Sequence, residues 1–438
     1  MEKLALFGGE PAIKNAPQEL FKWPIITKED EDAVLDVIKN ASYSKTNITE
    51  QFQTEFANYL GVKYALAFTN GTQSLEAAMF AIGLGAGDEM ICTTKTYWAS
   101  AVPAFNFGAV PVFCNIDNNL SMDPDDIERC ITPRTKAIMV VHYFAYPCDM
   151  DRIMDIAKRH NLIVIEDVSH AQGGLYKGKR LGSFGDIAAM SMMSQKSFSA
   201  GELGMLVTNE RKYYERAIAF GHYERNNAKY ITECEDLKPY YNIAIGGIKG
   251  RANQMCTALA RVQLKYYDER CAEIRKAMNY FWDLLDDVKG IRAIRVDEST
   301  GSNMAGWYSP HGLYIPEELG GLSSKRFCLA MRAEGVEKCH EGGNYCLHTH
   351  PYFTSFDRFG NGAPTRIAFS DRDARDDDSK CAPSEKVQCI QVPWFKHFDK
   401  EWIEAYANAF KKVINNYELL LEDDDSNASG GRWHGTTN

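Results

Sequence analysis

The 438-residue chain carries 49 Lys plus Arg against 59 Asp plus Glu, a net charge of −10. With no basic run, that balance disfavours a nucleic-acid binder. Apolar residues make up 45% and charged residues 25%, as in soluble globular proteins, and 22 Phe, 22 Tyr and 7 Trp exclude disorder over most of the length.

So long a chain predicts one large and one smaller domain. Met1 to Pro24 has no apolar leader core, and no stretch reaches membrane-spanning length, so no membrane partner is expected. The twelve cysteines are scattered, without CxxC pairs. They read as small buried apolar residues of a reducing, cytoplasmic setting.

In chain order, residues 30–41 and 48–60 have helical spacing. The run YALAFTNG predicts a buried strand stopped at Asn70-Gly71, followed by a helix over 72–84. MICTT, PVFCNID, AIMVVHYF and IVIEDVS are short β-branched runs, and helical patterns such as 149–159 separate several of them. This alternation predicts a mostly parallel sheet with helices on both faces. IAAMSMMS and GMLVTN predict a strand pair around Lys196, and a long helix from about 252 to 285 closes the large domain. Beyond it, the strands HGLYIP and IQVPWF and the helices at 323–334 and 401–420 predict a smaller α/β domain. The expected division is 1–285, 286–421 and a disordered tail at 422–438.

Three segments carry chemistry. In ALAFTNGTQSLEAAMFAIGL, Gly71, Thr72 and Gln73 open a helix, whose free N–H groups and dipole favour a phosphate. Gly71 is expected to let the backbone approach a ligand closely. In IVIEDVSHAQGG, Asp167 stands at the carboxyl end of a strand, where open α/β sheets bind ligands and a carboxylate can hold a protonated ring nitrogen. Strand alternation points Glu166 the other way. Lys196 lies in a Ser- and Gly-rich loop between two apolar strands, and a buried amine there could form a Schiff base. Each segment alone also fits a blander reading: a capped helix, an Asp capping a turn, a solvated loop lysine. Together, in chain order at strand ends of one sheet, they are the parts needed to hold pyridoxal 5′-phosphate.

The opening LALFGGEPAI, the NGTQSLEAA, EDVSHAQGG and SxxxxKxxxxGExG segments, the ARVQL helix and NYCLHTHPYF resemble the DegT/DnrJ/EryC1/StrS family of sugar aminotransferases. The resemblance spans about residues 5–420, and its first and last segments are most similar to the scyllo-inosose aminotransferase branch. It implies fold type I, with a seven-stranded large-domain sheet and a smaller C-terminal domain. It also implies transfer of an amino group from glutamate or glutamine to a keto sugar or cyclitol. By resemblance Lys196 is the Schiff-base lysine and proton carrier, Asp167 the partner of the pyridine nitrogen, and Gly71, Thr72 and Ser191 the phosphate contacts. His170 lies near the cofactor's phenolic oxygen, and Tyr97 stacks on the ring unless a one-residue slip puts Trp98 there. Lys249 and Arg251 fill the place of a GxNxR loop that reaches across a homodimer boundary, with Lys249 in place of Asn. His348, His350 and Tyr345 are expected toward the substrate. The His348/His350 pair lacks a further ligand at suitable spacing, so no metal is predicted. The rival readings are a sugar dehydratase, which the family builds with a histidine in place of the lysine, or another pyridoxal-phosphate enzyme of the same fold, a nucleotide-dependent dehydrogenase, whose GxGxxG this chain lacks, and a non-catalytic homologue.

Overall fold

A computed structural model of the chain describes residues 2–358, 360, 377–422, 424 and 431–432. The first part of the chain forms α1 (Lys28–Lys39), α2 (Asn47–Leu60), β1 (Tyr64–Phe68), α3 (Gly71–Ala81), β2 (Glu89–Thr93), β3 (Val110–Cys114), α4 (Pro124–Cys130), β4 (Thr135–Val141), α5 (Met150–His160) and β5 (Ile163–Asp167). They continue with β6 (Ile187–Ser191), β7 (Gly204–Thr208), α6 (Arg211–Gly221) and α7 (Gln254–Asp283). The helix starts follow local chemistry. Thr27 and Asp30 form a capping box on α1, and the side chains of Asn70, Asp149 and Asn253 accept from early amides of α3, α5 and α7.

The apolar runs pair in the order β1-β7-β6-β5-β4-β2-β3. Only β7 runs antiparallel to its neighbours, so the sheet has seven strands and is mostly parallel, as the sequence led one to expect. Strand alternation sends residues to two cores. Ala65, Ile91, Val140, Val164 and Met190 face one cluster, which continues onto α7 through Phe281 and Trp282. Leu66, Cys92, Met139, Ile165 and Ala189 face the other, against α3 and α6.

After α7 come β8 (Ile291–Ala293), β9 (His311–Tyr314), α8 (Ser324–Ala333), β10 (Gly343–Asn344), β11 (Cys389–Gln391), α9 (Lys400–Asn415) and β12 (Gly431–Arg432). An antiparallel sheet β8-β9-β11 packs into the α7-side core. The tail expected at 422–438 lies outside the described residues except at Glu422, Asp424 and β12. Asp424 accepts from the amide and hydroxyl of Ser323, 2.7 Å each, at the start of α8, and β12 pairs in parallel with β10. All twelve cysteines are free thiols, every one buried except half-buried Cys256.

Glu166 holds the sheet's loops from the face opposite Asp167. It is fully buried and accepts from the amides of Gly182, Phe184 and Gly185 at 2.7–2.8 Å and from His142 Nε2 at 3.1 Å. His142 Nδ1 accepts from the Cys148 amide, so the ring proton sits on Nε2 and is donated to the carboxylate. Burial alone would raise the Glu166 carboxyl, but these donors outweigh it and hold it below its ordinary value. Glu166→Gln should therefore cost roughly 3–5 kcal/mol of stability, because an ionised acceptor of four donors is lost. A depressed carboxyl contributes stability above its unfolded pKa and loses it as pH falls through the folded one. Urea unfolding of both proteins across pH should show the gap at neutral pH and its closure in acid.

Candidate active site

A cavity of about 650 Å³ opens at the carboxyl ends of the parallel strands. The chain after β1 contributes Asn70–Gln73, that after β2 Thr96–Trp98, and β4, β5 and β6 end on it with Val141, Asp167 and Ser191. The region beyond α7 adds Tyr308, Ser309, His311, Gly343 and Asn344. Gly71, Thr72, Gln73, Tyr97, Trp98, Asp167, His170, Ser191 and Lys196, spread along the chain from the end of β1 to the loop after β6, all line this one space.

Lys196 is 9% exposed. Its Nζ lies 4.2 Å from the centroid of the Tyr308 ring and, among the described residues, has no hydrogen-bond acceptor. Burial pulls the amine down to about 8, against the attraction of Asp167. Its backbone is pinned by Trp23, whose Nε1 donates to the Lys196 carbonyl at 3.0 Å. Asp167 shares its face with Ile165 and reaches the cavity. One oxygen accepts from Ser100 Oγ at 2.7 Å and the other from the Ser169 amide at 3.0 Å.

The helix end at α3 differs from expectation in one detail. Asn70 Oδ1 takes the Gln73 amide at 2.9 Å, so the amides left open among the described residues are those of Gly71 and Thr72. Glycine at 71 also serves packing. An added Cβ would lie 2.6 Å from Ser191 Cβ and 2.8 Å from the Ser191 backbone. Gly71 lets α3 press against β6 and so brings the helix end to the Ser191 hydroxyl.

His170 Nδ1 accepts from the Phe144 amide at 3.2 Å, which leaves the ring proton on Nε2. Phe144 is held in left-handed backbone (φ 48°), a costly conformation that clusters at functional sites. Its ring stacks on His311 at 3.7 Å. His311 faces two carbonyls, Ser309 at 2.7 Å and Gly342 at 3.2 Å, and can serve both only as the doubly protonated ring. Tyr97 and Trp98 stand side by side on the wall, centroids 4.9 Å apart, and both are partly exposed. They also line an apolar annexe of about 340 Å³ with Leu347, His350 and Phe353.

Other expected residues stand elsewhere. His348 is buried behind the wall, with Nδ1 on Thr94 Oγ1 and Nε2 3.3 Å from Glu385. Both ring nitrogens are engaged in packing, so it does not face the cavity. His350 lines the annexe and not the main cavity, and its Nδ1 accepts from the Tyr352 amide. Half-buried Tyr345 lines neither space. Lys249 and Arg251 are also outside the cavity of their own chain. Lys249 is exposed near Tyr223, and the Arg251 backbone bridges Phe68. Sequence reasoning missed Tyr308, His311 and Asn344, whose side-chain amide donates to the Thr96 carbonyl at 3.0 Å. Asn344 adjoins the flagged Tyr345, but nothing in its residue type marked it.

The profile of the DegT/DnrJ/EryC1/StrS aminotransferase family matches residues 24–365. A Micromonospora echinospora protein provisionally named L-glutamine:3-amino-2,3-dideoxy-scyllo-inosose aminotransferase is 33% identical over 354 residues, 80% of this chain and 81% of its own. GDP-perosamine synthase of Caulobacter vibrioides is 43% identical over 59% of this chain and 67% of its own. Among solved structures, the aminotransferase from Psychrobacter cryohalolentis aligns at a TM-score of 0.75 and 29% identity, covering 91% of this chain and all of its own. A 3-amino-5-hydroxybenzoic acid synthase, at TM-score 0.76 and 23% identity over 93% of this chain, shares the fold, which is the fold type I arrangement.

Gly71→Ala tests the packing argument. The added methyl meets strand backbone, so the variant should lose about 1–3 kcal/mol, read as a lower Tm. An unchanged Tm would mean that α3 and β6 are free to separate.

Proposed function

The chain belongs to the DegT/DnrJ/EryC1/StrS aminotransferase family, and from that premise we propose that it holds pyridoxal 5′-phosphate in this cavity and aminates a keto sugar or keto cyclitol. The observation that carries the reading is the convergence on one cavity of a buried amine that has no hydrogen-bond partner among the described residues, a strand-end carboxylate and an open helix N-terminus. When bound, the cofactor supplies an aldehyde for the lysine and a ring that accepts electrons.

The residues divide the work. The amides of Gly71 and Thr72, the dipole of α3 and the Ser191 hydroxyl suit the phosphate. Asp167, oriented by Ser100 and Ser169, suits a protonated ring nitrogen. His170, its Nδ1 taken by the Phe144 amide, suits the phenolic oxygen through Nε2, and Tyr97 or Trp98 offers a face for the ring. With its pKa near 8, Lys196 is partly neutral at physiological pH. It can act as nucleophile and then, once freed by the donor's amine, take and return the migrating proton at Nζ. Its retention argues against a dehydratase.

The donor in this reading is glutamate or glutamine, and the names of the scyllo-inosose relatives carry L-glutamine. We further read the enzyme as a cytoplasmic homodimer. No helix among the described residues is long and apolar enough to cross a membrane. Lys249 and Arg251, outside their own cavity, are in this reading offered to the partner's site, where Lys249 would meet a phosphate as a point charge.

Incubating the enzyme with glutamate or glutamine and a panel of keto sugars and cyclitols, with amine formation followed by mass spectrometry, tests the function. One acceptor class should be aminated, and no product with any donor would overturn the reading. Asp167→Asn should lower turnover by orders of magnitude, in line with roughly 2–5 kcal/mol for a lost buried charge partner. Turnover within a few-fold of wild type would move the ring nitrogen elsewhere.

A further inference from the structure

We propose that the π face of Tyr308 is the seat of the Lys196 amine whenever that amine is free, so that a ring face, and no hydrogen-bonded carboxylate, stabilises its charged form. The proposal rests on the reading of Lys196 as the anchoring, proton-carrying residue.

The contact itself is the first argument. Nζ stands 4.2 Å from the ring centroid, well inside the range at which an ammonium is attracted to an aromatic face. Among the described residues it has no acceptor to compete with the ring, and Asp167 acts on it only through its field.

The second argument is that the ring is held there deliberately. Tyr308 is flanked by three non-glycine residues in left-handed backbone, Ala305 (φ 42°), Trp307 (φ 49°) and Ser309 (φ 49°). Such a run persists only where its surroundings over-determine it, and here they do. The Ala305 amide donates to Asn303 Oδ1 at 3.0 Å, Trp394 Nε1 to the Gly306 carbonyl at 2.9 Å and His311 Nδ1 to the Ser309 carbonyl at 2.7 Å. Trp394 meets the Tyr308 ring edge-on at 5.6 Å, and His170 lies 4.5 Å from it on the cavity side. At Gly306 a Cβ would lie 2.6 Å from Ser197 Cβ, so the loop is pressed against the residue after the lysine. Amine and ring therefore stand on one rigid support.

The chemistry gives the arrangement a purpose. A hydrogen-bonded carboxylate would keep the lysine charged and useless as a base. A bare apolar wall would leave no place for the ammonium formed when the lysine takes up a proton. A ring face lies between these limits: it holds the cation weakly and gives up the proton readily. Among the described residues, the titratable groups that line the cavity with the amine are Asp167 from β5, His170 from the following loop, Glu202 from the loop into β7, Tyr97 after β2, Tyr143 after β4, Tyr308, and His311 at the start of β9. Lys396 lies behind Trp394.

The test reads the amine directly. The full-length protein, freed of carbonyl cofactor with hydroxylamine, is labelled with acetic anhydride across pH, and Lys196 acetylation is followed by peptide mass spectrometry. Tyr308→Phe keeps the face and should leave the labelling midpoint within a few tenths of a unit of wild type. Tyr308→Leu removes the face and should lower the midpoint by roughly half a unit to one and a half units. Phenylalanines with increasing fluorination at 308 keep the shape while weakening the face, and should lower it stepwise even if the leucine variant fails to fold. A midpoint indifferent to fluorination, or a Phe variant shifted as far as Leu, would overturn the proposal. Because the readout is on the amine itself, it decides the Tyr308 contact even if the cofactor proves to be anchored elsewhere.

Discussion

An amine taken out of water prefers to be neutral, and burial of the Lys196 side chain is the constraint around which the cavity is arranged. A solvated lysine would stay charged through neutral pH and make a poor nucleophile. Burial pulls it to about 8, and the surroundings must then tolerate both protonation states. They do so with the field of Asp167 and the face of Tyr308, neither of which forms a hydrogen bond to Nζ.

The parallel sheet makes this possible by collecting chain segments at one edge. β4, β5 and β6 end side by side, so Val141, Asp167 and Ser191 reach the same space without long excursions. Parity within β5 separates two carboxylates by role. Glu166 turns to the α7-side core and ties three loop amides and His142, while Asp167 turns to the cavity. The rigidity of one face supports the chemistry of the other. The close approach of α3 to β6 at Gly71 extends the same logic to the helix end.

Much of this was legible in the sequence. Buried β-branched runs broken by Gly and Asn gave the strands, and alternation assigned Asp167 and Glu166 to opposite faces. The phosphate-suited helix end, the carboxylate and the lysine were found because each has a local signature at a strand boundary. What was missed has no such signature. Tyr308, His311 and Asn344 reach the cavity from beyond α7 through long-range packing, and Tyr308 depends on left-handed residues that are not glycine. His348 misled because a histidine near a site reads alike whether it faces a ligand or, as here, packs between Thr94 and Glu385. The packing role of Gly71 was not legible, since only the fold reveals that Ser191 lies behind it.

In the proposed function Lys196 carries the cofactor. That assignment can be read by reducing the enzyme with borohydride, digesting it and sequencing the peptides by mass spectrometry. One stable pyridoxyl adduct is expected, on Lys196, formed before but not after incubation with the amino donor. An adduct on another lysine, or none in an enzyme active as a transaminase, would contradict it.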